Sequence, residues 1–294
     1  MGSTKAEVEV SYDVSNEFFR LWLDERMNYT SAVFESDDQS LEAAQLNKLR
    51  ILSDFAKLTP EKSLLDIGCG WGACLEYAVT ARKVKRAVGV TLSTAQAAEV
   101  NARKLPGVEC VGADFMKWET KERFDALISI CMIDHLCSPE EARLGKAVDI
   151  YRAYFKKCWE LTKPGSYFGF QAILRNRTPK MRPWGALPAD TKKDLEDYFF
   201  CTKEIFPGGL NPRLDELIQA VNPYFEVMQV NTRRNDYKRT TAEWQRRLRL
   251  NEKTVRQKWG DKVFEDYDRY LGTCVRAFDI HYSSLAQMEL KRIG

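Results

Sequence analysis

The sequence predicts an α/β fold, a mostly parallel sheet with helices on both of its faces, and three observations carry that prediction. Ser63-Leu64-Leu65-Asp66-Ile67 is an apolar run broken by one acid, the pattern of a strand buried on both faces. Gly68-Cys69-Gly70-Trp71-Gly72 follows at once, and residues 73–83 have helix-forming composition. Further apolar runs then recur between helical stretches at residues 86–90, 108–111, 124–130 and 167–174. Strand, glycine turn and helix in that order make a Rossmann-like nucleotide site, because glycines without Cβ let the backbone approach a bound molecule.

Taken in order, residues 8–57 read as helical, with Phe18, Phe19, Leu21, Trp22 and Leu23 forming a face that packs on the domain. After the glycine turn come strands at 86–90 and 108–111, the second ending in Gly112-Ala113-Asp114-Phe115. The fourth strand, 124–130, runs into Cys131-Met132-Ile133-Asp134-His135-Leu136. Ligands bind at the carboxyl ends of strands in open α/β sheets, so Asp134 and His135 are candidate site residues. A helix is expected over 148–161, then a turn at Lys163-Pro164-Gly165-Ser166 into a fifth strand at 167–174. The pattern is interrupted over 175–221 by a proline-bearing, aromatic stretch that includes Trp184, Tyr198, Phe199, Phe200 and Phe206. Residues 225–230 and the apolar residues around 271–285 are expected to complete the sheet edge, and Arg246, Arg247, Arg249 and Arg256 to form a solvated helix face.

Composition narrows the function. The 294 residues, 44% of them hydrophobic, suffice for one large domain. The 45 basic and 42 acidic side chains leave a net charge of +3, without the basic excess of a nucleic-acid binder. Eight cysteines include no C-x-x-C pair and read as small buried hydrophobes in a reducing, cytoplasmic setting. With only His135 and His281, no metal site is expected. No secretory signal or apolar run long enough to span a bilayer is visible, so membrane contact is expected to be peripheral at most.

The glycine spacing, G-x-G-x-G with Asp66 two residues before Gly68, departs from the dinucleotide pattern G-x-G-x-x-G. It resembles the first motif of class I S-adenosylmethionine (AdoMet) methyltransferases, whose Rossmann-like fold has a mostly parallel seven-stranded sheet. Tyr12-Asp13-Val14-Ser15-Asn16-Glu17-Phe18-Phe19, Tyr29-Thr30-Ser31-Ala32-Val33-Phe34, Gly89-Val90-Thr91-Leu92-Ser93 with Gln96, and Glu204-Ile205-Phe206-Pro207-Gly208-Gly209 follow in sequence. Together they look like the cyclopropane fatty acid and mycolic acid synthase family, over nearly the whole chain. The resemblance implies one domain over 1–294: N-terminal helices (1–57), a cofactor-binding core (58–174), a helical cap over the acceptor pocket (175–221) and C-terminal strands and helices (222–294).

It also implies AdoMet as cofactor, held by Tyr12, Tyr29, Thr30, Asp66, Gly68, Gly70, Gly72, Thr91, Leu92 and Gln96. Asp114, with Phe115, either meets the adenine amino group or caps the following helix, and the sequence leaves both open. Trp184, Phe199, Phe200 and Phe206 would line an apolar acceptor pocket. In the family a bicarbonate ion is held by cysteine, glutamate, histidine and tyrosine; those positions carry Ser31, Asp134, Gln171 and Tyr237 here. Asp134, His135 and Tyr237 are therefore the expected catalytic residues, with Ser31 and Gln171 facing substrate. Three changes of four in an anion shell lead us to expect methyl transfer to an apolar small molecule, by N- or C-methylation, without bicarbonate-assisted ring closure. A cyclopropane synthase or methyltransferase acting on unsaturated acyl lipids is the alternative, and a non-catalytic AdoMet-binding protein the third. A carrier protein or anionic lipid docking on the arginine cluster is the sharper reading of that face.

Overall fold

The computed structural model describes residues 15–176 and 184–294. Its elements, in chain order, are α1 (Asn16–Arg20), α2 (Leu41–Phe55), β1 (Ser63–Ile67), α3 (Ala73–Thr80), β2 (Arg86–Thr91), α4 (Thr94–Ala102), β3 (Val108–Gly112), β4 (Phe124–Ile130), α5 (Pro139–Arg143), α6 (Ala147–Glu160) and β5 (Thr162–Arg175). There follow α7 (Ala189–Phe200), α8 (Leu214–Val221), β6 (Phe225–Thr232), α9 (Arg234–Leu250), α10 (Glu252–Trp259), α11 (Asp261–Asp279) and β7 (Ser283–Arg292). The strands form one seven-stranded sheet in the order β3-β2-β1-β4-β5-β7-β6. All neighbours are parallel except β7, which runs antiparallel to both β5 and β6.

Each face of the sheet carries its own core. Alternation along β1 sends Leu65 and Ile67 to one side, with Tyr151, Tyr154 and Phe155 of α6 and Phe168 and Phe170 of β5. Leu64 goes to the other side, with Leu49 and Leu52 of α2 and Leu75 and Ala78 of α3. A third cluster lies at the helical end of the molecule. There Phe18, Phe19 and Trp22 pack with Leu271 of α11 and meet Trp244 of α9 and Tyr267 of α11 in ring contacts such as the edge-to-face pair Phe18–Tyr267, 4.7 Å between centroids.

Four expectations are corrected. Residues 8–57 do not form one helical segment: among those described, α1 and α2 flank a long loop. Asp24 explains the break, since its carboxylate accepts from the Arg26 and Asn28 backbone N–H groups and offers the chain an alternative to helical bonds. Residues 163–166 are not a turn before β5 but part of it, where Gly165 at φ +77° and a register shift against β4 make a bulge. Residues 271–279 belong to α11, and β7 sits inside the sheet, so β6 is the edge. Within 175–221, α8 packs Leu217, Ala220 and Val221 into the core against α6, so that helix is part of the core rather than of a cap.

Candidate functional site

The glycine loop leaves β1 with Gly68, Gly70 and Gly72 all at positive φ. Their surroundings differ. A Cβ on Gly68 would lie 2.8 Å from Met132 Cβ, and one on Gly72 would lie 2.8 Å from Val100 Cγ2. Among the described residues, a Cβ on Gly70 meets nothing within 4 Å. Gly68 and Gly72 therefore pack closely on their neighbours, while Gly70 faces open space among the described residues.

The loop is braced from the N-terminal side. Trp71 Nε1 donates to Asn16 Oδ1 at 2.8 Å, and the Asn16 amide donates to Glu99 of α4. At the end of β2, the Thr91 hydroxyl donates to Gln96 Oε1 at 2.8 Å, both groups buried, and Leu92 is half-buried beside them. Asp114 Oδ1 accepts from the Met116 N–H at 2.9 Å, so one oxygen of its carboxylate caps the local turn. The Phe115 ring is buried in the core, edge-on to Tyr154.

Asp66 lies beneath the loop, fully buried, with Oδ2 unpartnered. Burial pushes its carboxyl up to about 7, against the opposing influence of the Cys74 thiol and Lys48. Lys48 of α2 is buried too, and its ammonium donates to Asn28 Oδ1 at 2.8 Å and to Thr30 Oγ1 at 3.0 Å. Desolvation pulls it down to about 8. The Thr30 hydroxyl thus accepts from Lys48 and keeps its own hydrogen to donate. Tyr29 packs against Phe19, Trp22, Trp244 and Phe206. Tyr12 lies outside the described residues.

The second half of the site lies past the ends of β4 and β5. Asp134 is buried; its Oδ2 accepts weakly from the Ile173 N–H at 3.4 Å, and its Oδ1 has no partner among the described residues. Burial raises its carboxyl well above the usual range. His135 is half-buried, with its imidazole pulled down to about 4 by desolvation. The structure gives it no side-chain partner among the described residues and does not join it to Asp134.

Ser31 is fully buried but donates to the adjacent Ala32 carbonyl at 2.8 Å. Its loop is tied to α9, where Thr240 Oγ1 accepts from the Ala32 N–H at 3.0 Å and Asp236 Oδ1 from the Phe34 N–H at 2.8 Å. Tyr237 stacks on Phe278 at 4.6 Å in the cluster that also holds Cys131 and Ala32. Gln171 has both amide atoms engaged: Oε1 accepts from Gln287 Nε2 at 2.8 Å, and Nε2 donates to Cys131 Sγ at 3.6 Å.

Of the expected acceptor wall, Phe206 packs on Tyr29 and Tyr270, and Phe200 sits under the Arg269 guanidinium. Phe199 is 59% exposed, so it does not line an enclosed pocket; its place on α7 faces water. The Trp184 side chain lies outside the described residues. The arginine cluster is not simply solvated. Arg247 binds Glu42 and Glu243, Arg249 binds Asp268, and Arg256 binds Glu252, Asp261 and Glu265. Its charge is largely matched by its own neighbours, which weakens it as an anion dock. No group of three or more metal-ligating side chains occurs among the described residues, and no helix among them is long and apolar enough to cross a membrane.

Sequence reasoning missed Lys48, Cys131, Arg233 and Gln287. Lys48 left a signal, since it stands between Ala44 and Leu52 on the buried stripe of α2.

Comparison with known proteins decides the family. The profile of mycolic acid cyclopropane synthetase matches residues 2–288. This chain belongs to that family. It is 30% identical over 290 residues to the S-adenosylmethionine-dependent methyltransferase UmaA of Mycobacterium tuberculosis, covering 97% of each chain. It is likewise 30% identical over 292 residues to cyclopropane mycolic acid synthase 2 of Mycobacterium leprae, covering 96% of this chain and 92% of that one. The structure of the cyclopropane synthase MmaA2 from Mycobacterium tuberculosis superposes with a TM-score of 0.87 at 27% identity, covering 99% of both chains. That of CmaA1 complexed with SAH and CTAB gives 0.86 at 28% identity, again covering 99% of both. Coclaurine N-methyltransferase, at 18% identity and a TM-score of 0.77 over 95% of this chain and 79% of that one, shares the fold. The chain is thus an AdoMet-dependent methyltransferase of the class I fold, and the open space at Gly70 fits that cofactor.

Proposed function

We propose that the enzyme methylates a carbon–carbon double bond in an apolar acyl chain, with Asp134 rather than a bicarbonate ion receiving the proton. The named relatives, cyclopropane mycolic acid synthases, favour an acyl acceptor over the small-molecule amine or phenol that the departures in the site motif had suggested. Bound AdoMet supplies an electrophilic methyl group, so the protein's task is alignment and exclusion of water. Gly70 leaves room for the cofactor at the strand ends, with Thr91 and Gln96 as the polar pair for its hydroxyls. Tyr29, Phe206 and Tyr237 offer apolar and aromatic surface for the acyl chain.

When the double bond takes the methyl group, one alkene carbon gains a C–C bond at the expense of the S–CH3 bond, S-adenosylhomocysteine is the leaving group, and the neighbouring carbon becomes cationic. Loss of a proton from the new methyl closes a three-membered ring; loss from a neighbouring carbon gives a methyl-branched alkene. The single observation that carries the reading is the unpartnered, buried Oδ1 of Asp134 at the end of β4. Burial raises this carboxyl, so it accepts the proton only once the sulfonium of AdoMet and the developing cation favour its ionised form. Gln171 and Ser31 already spend their donors inside the protein, which leaves few groups to offset the desolvation of an anion. The test is incubation with AdoMet and a cis-unsaturated acyl lipid, with amines and phenols in parallel. A product one CH2 heavier from the lipid alone supports the reading. Turnover of an amine or phenol alone favours the small-molecule alternative, and AdoMet binding without any turnover a regulatory protein.

A further inference from the structure

Gln171 and Gln287 face each other in register on β5 and β7, both fully buried, and they belong to a longer chain of hydrogen bonds. Arg233 Nε donates to Gln287 Oε1 at 3.3 Å, Gln287 Nε2 to Gln171 Oε1 at 2.8 Å, and Gln171 Nε2 to Cys131 Sγ at 3.6 Å. The direction is not arbitrary. A guanidinium has no acceptor, so Gln287 must turn its carbonyl oxygen to Arg233. Its amide N–H then points to Gln171, and Gln171 in turn presents N–H to the sulfur. With one lone pair taken by Gln171 Nε2, the Cys131 thiol keeps its hydrogen to offer the carboxylate beside it, Asp134.

Cys131 also holds a left-handed backbone, φ +59°, unusual for a residue with a Cβ. Its sulfur lies within hydrogen-bond reach of the Gln171 amide on β5. The titratable groups around the carboxylate are Cys131 from its own turn and Tyr151 from α6, while Lys48 from α2 faces Cys131.

We propose that Arg233, Gln287 and Gln171 are positioning residues that fix the direction of this chain, so that the Cys131 thiol donates toward Asp134 and leaves Oδ1 for the substrate. The inference rests on the proposed role of Asp134, yet it makes a claim about the protein alone. Successive donors oriented one way polarise each other, and a donor aimed at a carboxylate favours its ionised form.

The experiment is a carbon-13 NMR titration of aspartate-carboxyl-labelled protein, with Asp134 assigned by loss of its signal in Asp134→Asn. Gln287→Glu offers only acceptors, so Gln171 must turn its amide around and take the thiol hydrogen for itself. The Asp134 midpoint should then rise by about one pH unit, a tenfold change in proton affinity. Arg233→Lys, which keeps a donor at the head of the chain, should leave it within a few tenths of a unit. In a Cys131→Ala background the Gln287→Glu shift should vanish. An unmoved midpoint in folded Gln287→Glu overturns the proposal, as does a shift that survives removal of the thiol, which would be charge repulsion alone. Because the titration needs no acceptor, its failure leaves the proposed reaction standing. Failure of acyl turnover would likewise leave the titration result intact.

Discussion

The two halves of the site, at the ends of β1 and β2 and at the ends of β4, β5 and β7, are built by opposite means. At the first, backbone geometry does the work: three glycines at positive φ, one facing open space and two packed against Met132 and Val100. At the second, side chains 131, 134, 171, 233 and 287 converge from β4, β5, β7 and the loops beside them, and most of their polar atoms are matched inside the protein. A cofactor common to many enzymes is met by a loop that contiguous residues can build. The acceptor site proposed at the second half rests on groups that only the tertiary fold assembles.

Substitutions at the glycine loop should break the first half most sharply. Gly70→Val fills the open space and should weaken AdoMet binding on the order of a hundredfold or more by calorimetry, a loss of about 3 kcal/mol. Gly68→Ala and Gly72→Ala should act instead on stability, losing about 1–3 kcal/mol in denaturant melts because their new methyl groups collide with fixed neighbours. In the second half, Asp134→Asn should lower kcat on the order of a hundredfold while AdoMet affinity changes by less than about twofold. If both fall together, the two halves are not separable.

A smaller effect sharpens the contrast through pH. Asp66 keeps its proton in the folded state up to about 7, whereas an unfolded aspartate loses it near 4. Its contribution to stability is therefore complete below about pH 4 and is lost as pH rises through 7. Asp66→Asn should remove that decline, seen as a flatter stability profile between pH 4 and 7. The smallest expected change is Trp71→Phe, which gives up the bond to Asn16 and should cost about 1 kcal/mol.

Legibility in the sequence follows the same division. β1, β4 and the glycine loop are contiguous and carry their pattern locally, and residues 63–67 and 124–130 are found as strands with the same bounds in the structure. β7 was misplaced because Ser283-Ser284-Leu285-Ala286-Gln287 lacks strict alternation, being buried on both faces between β5 and β6. Gln171 was singled out only through a family resemblance, and its partner Gln287 stands 116 positions away. Nothing local says that two glutamines in apolar strands will pair. Phe199 and Phe200 show the limit in the other direction: adjacent aromatics on one helix, one exposed and one packed under Arg269.

The central claim is that the enzyme methylates an acyl double bond with Asp134, and not bicarbonate, as the proton acceptor. The direct measurement supplies methyl-labelled AdoMet and a cis-unsaturated acyl lipid in degassed, bicarbonate-free buffer, then restores bicarbonate. Product is followed by mass, and by proton NMR for high-field ring hydrogens. The account predicts a lipid product one labelled CH2 heavier, formed at rates that agree within about twofold in the two buffers and lost in Asp134→Asn, a change of under about 0.5 kcal/mol in barrier for the buffer switch. A rescue of tenfold or more by bicarbonate, or full activity in Asp134→Asn, would contradict it.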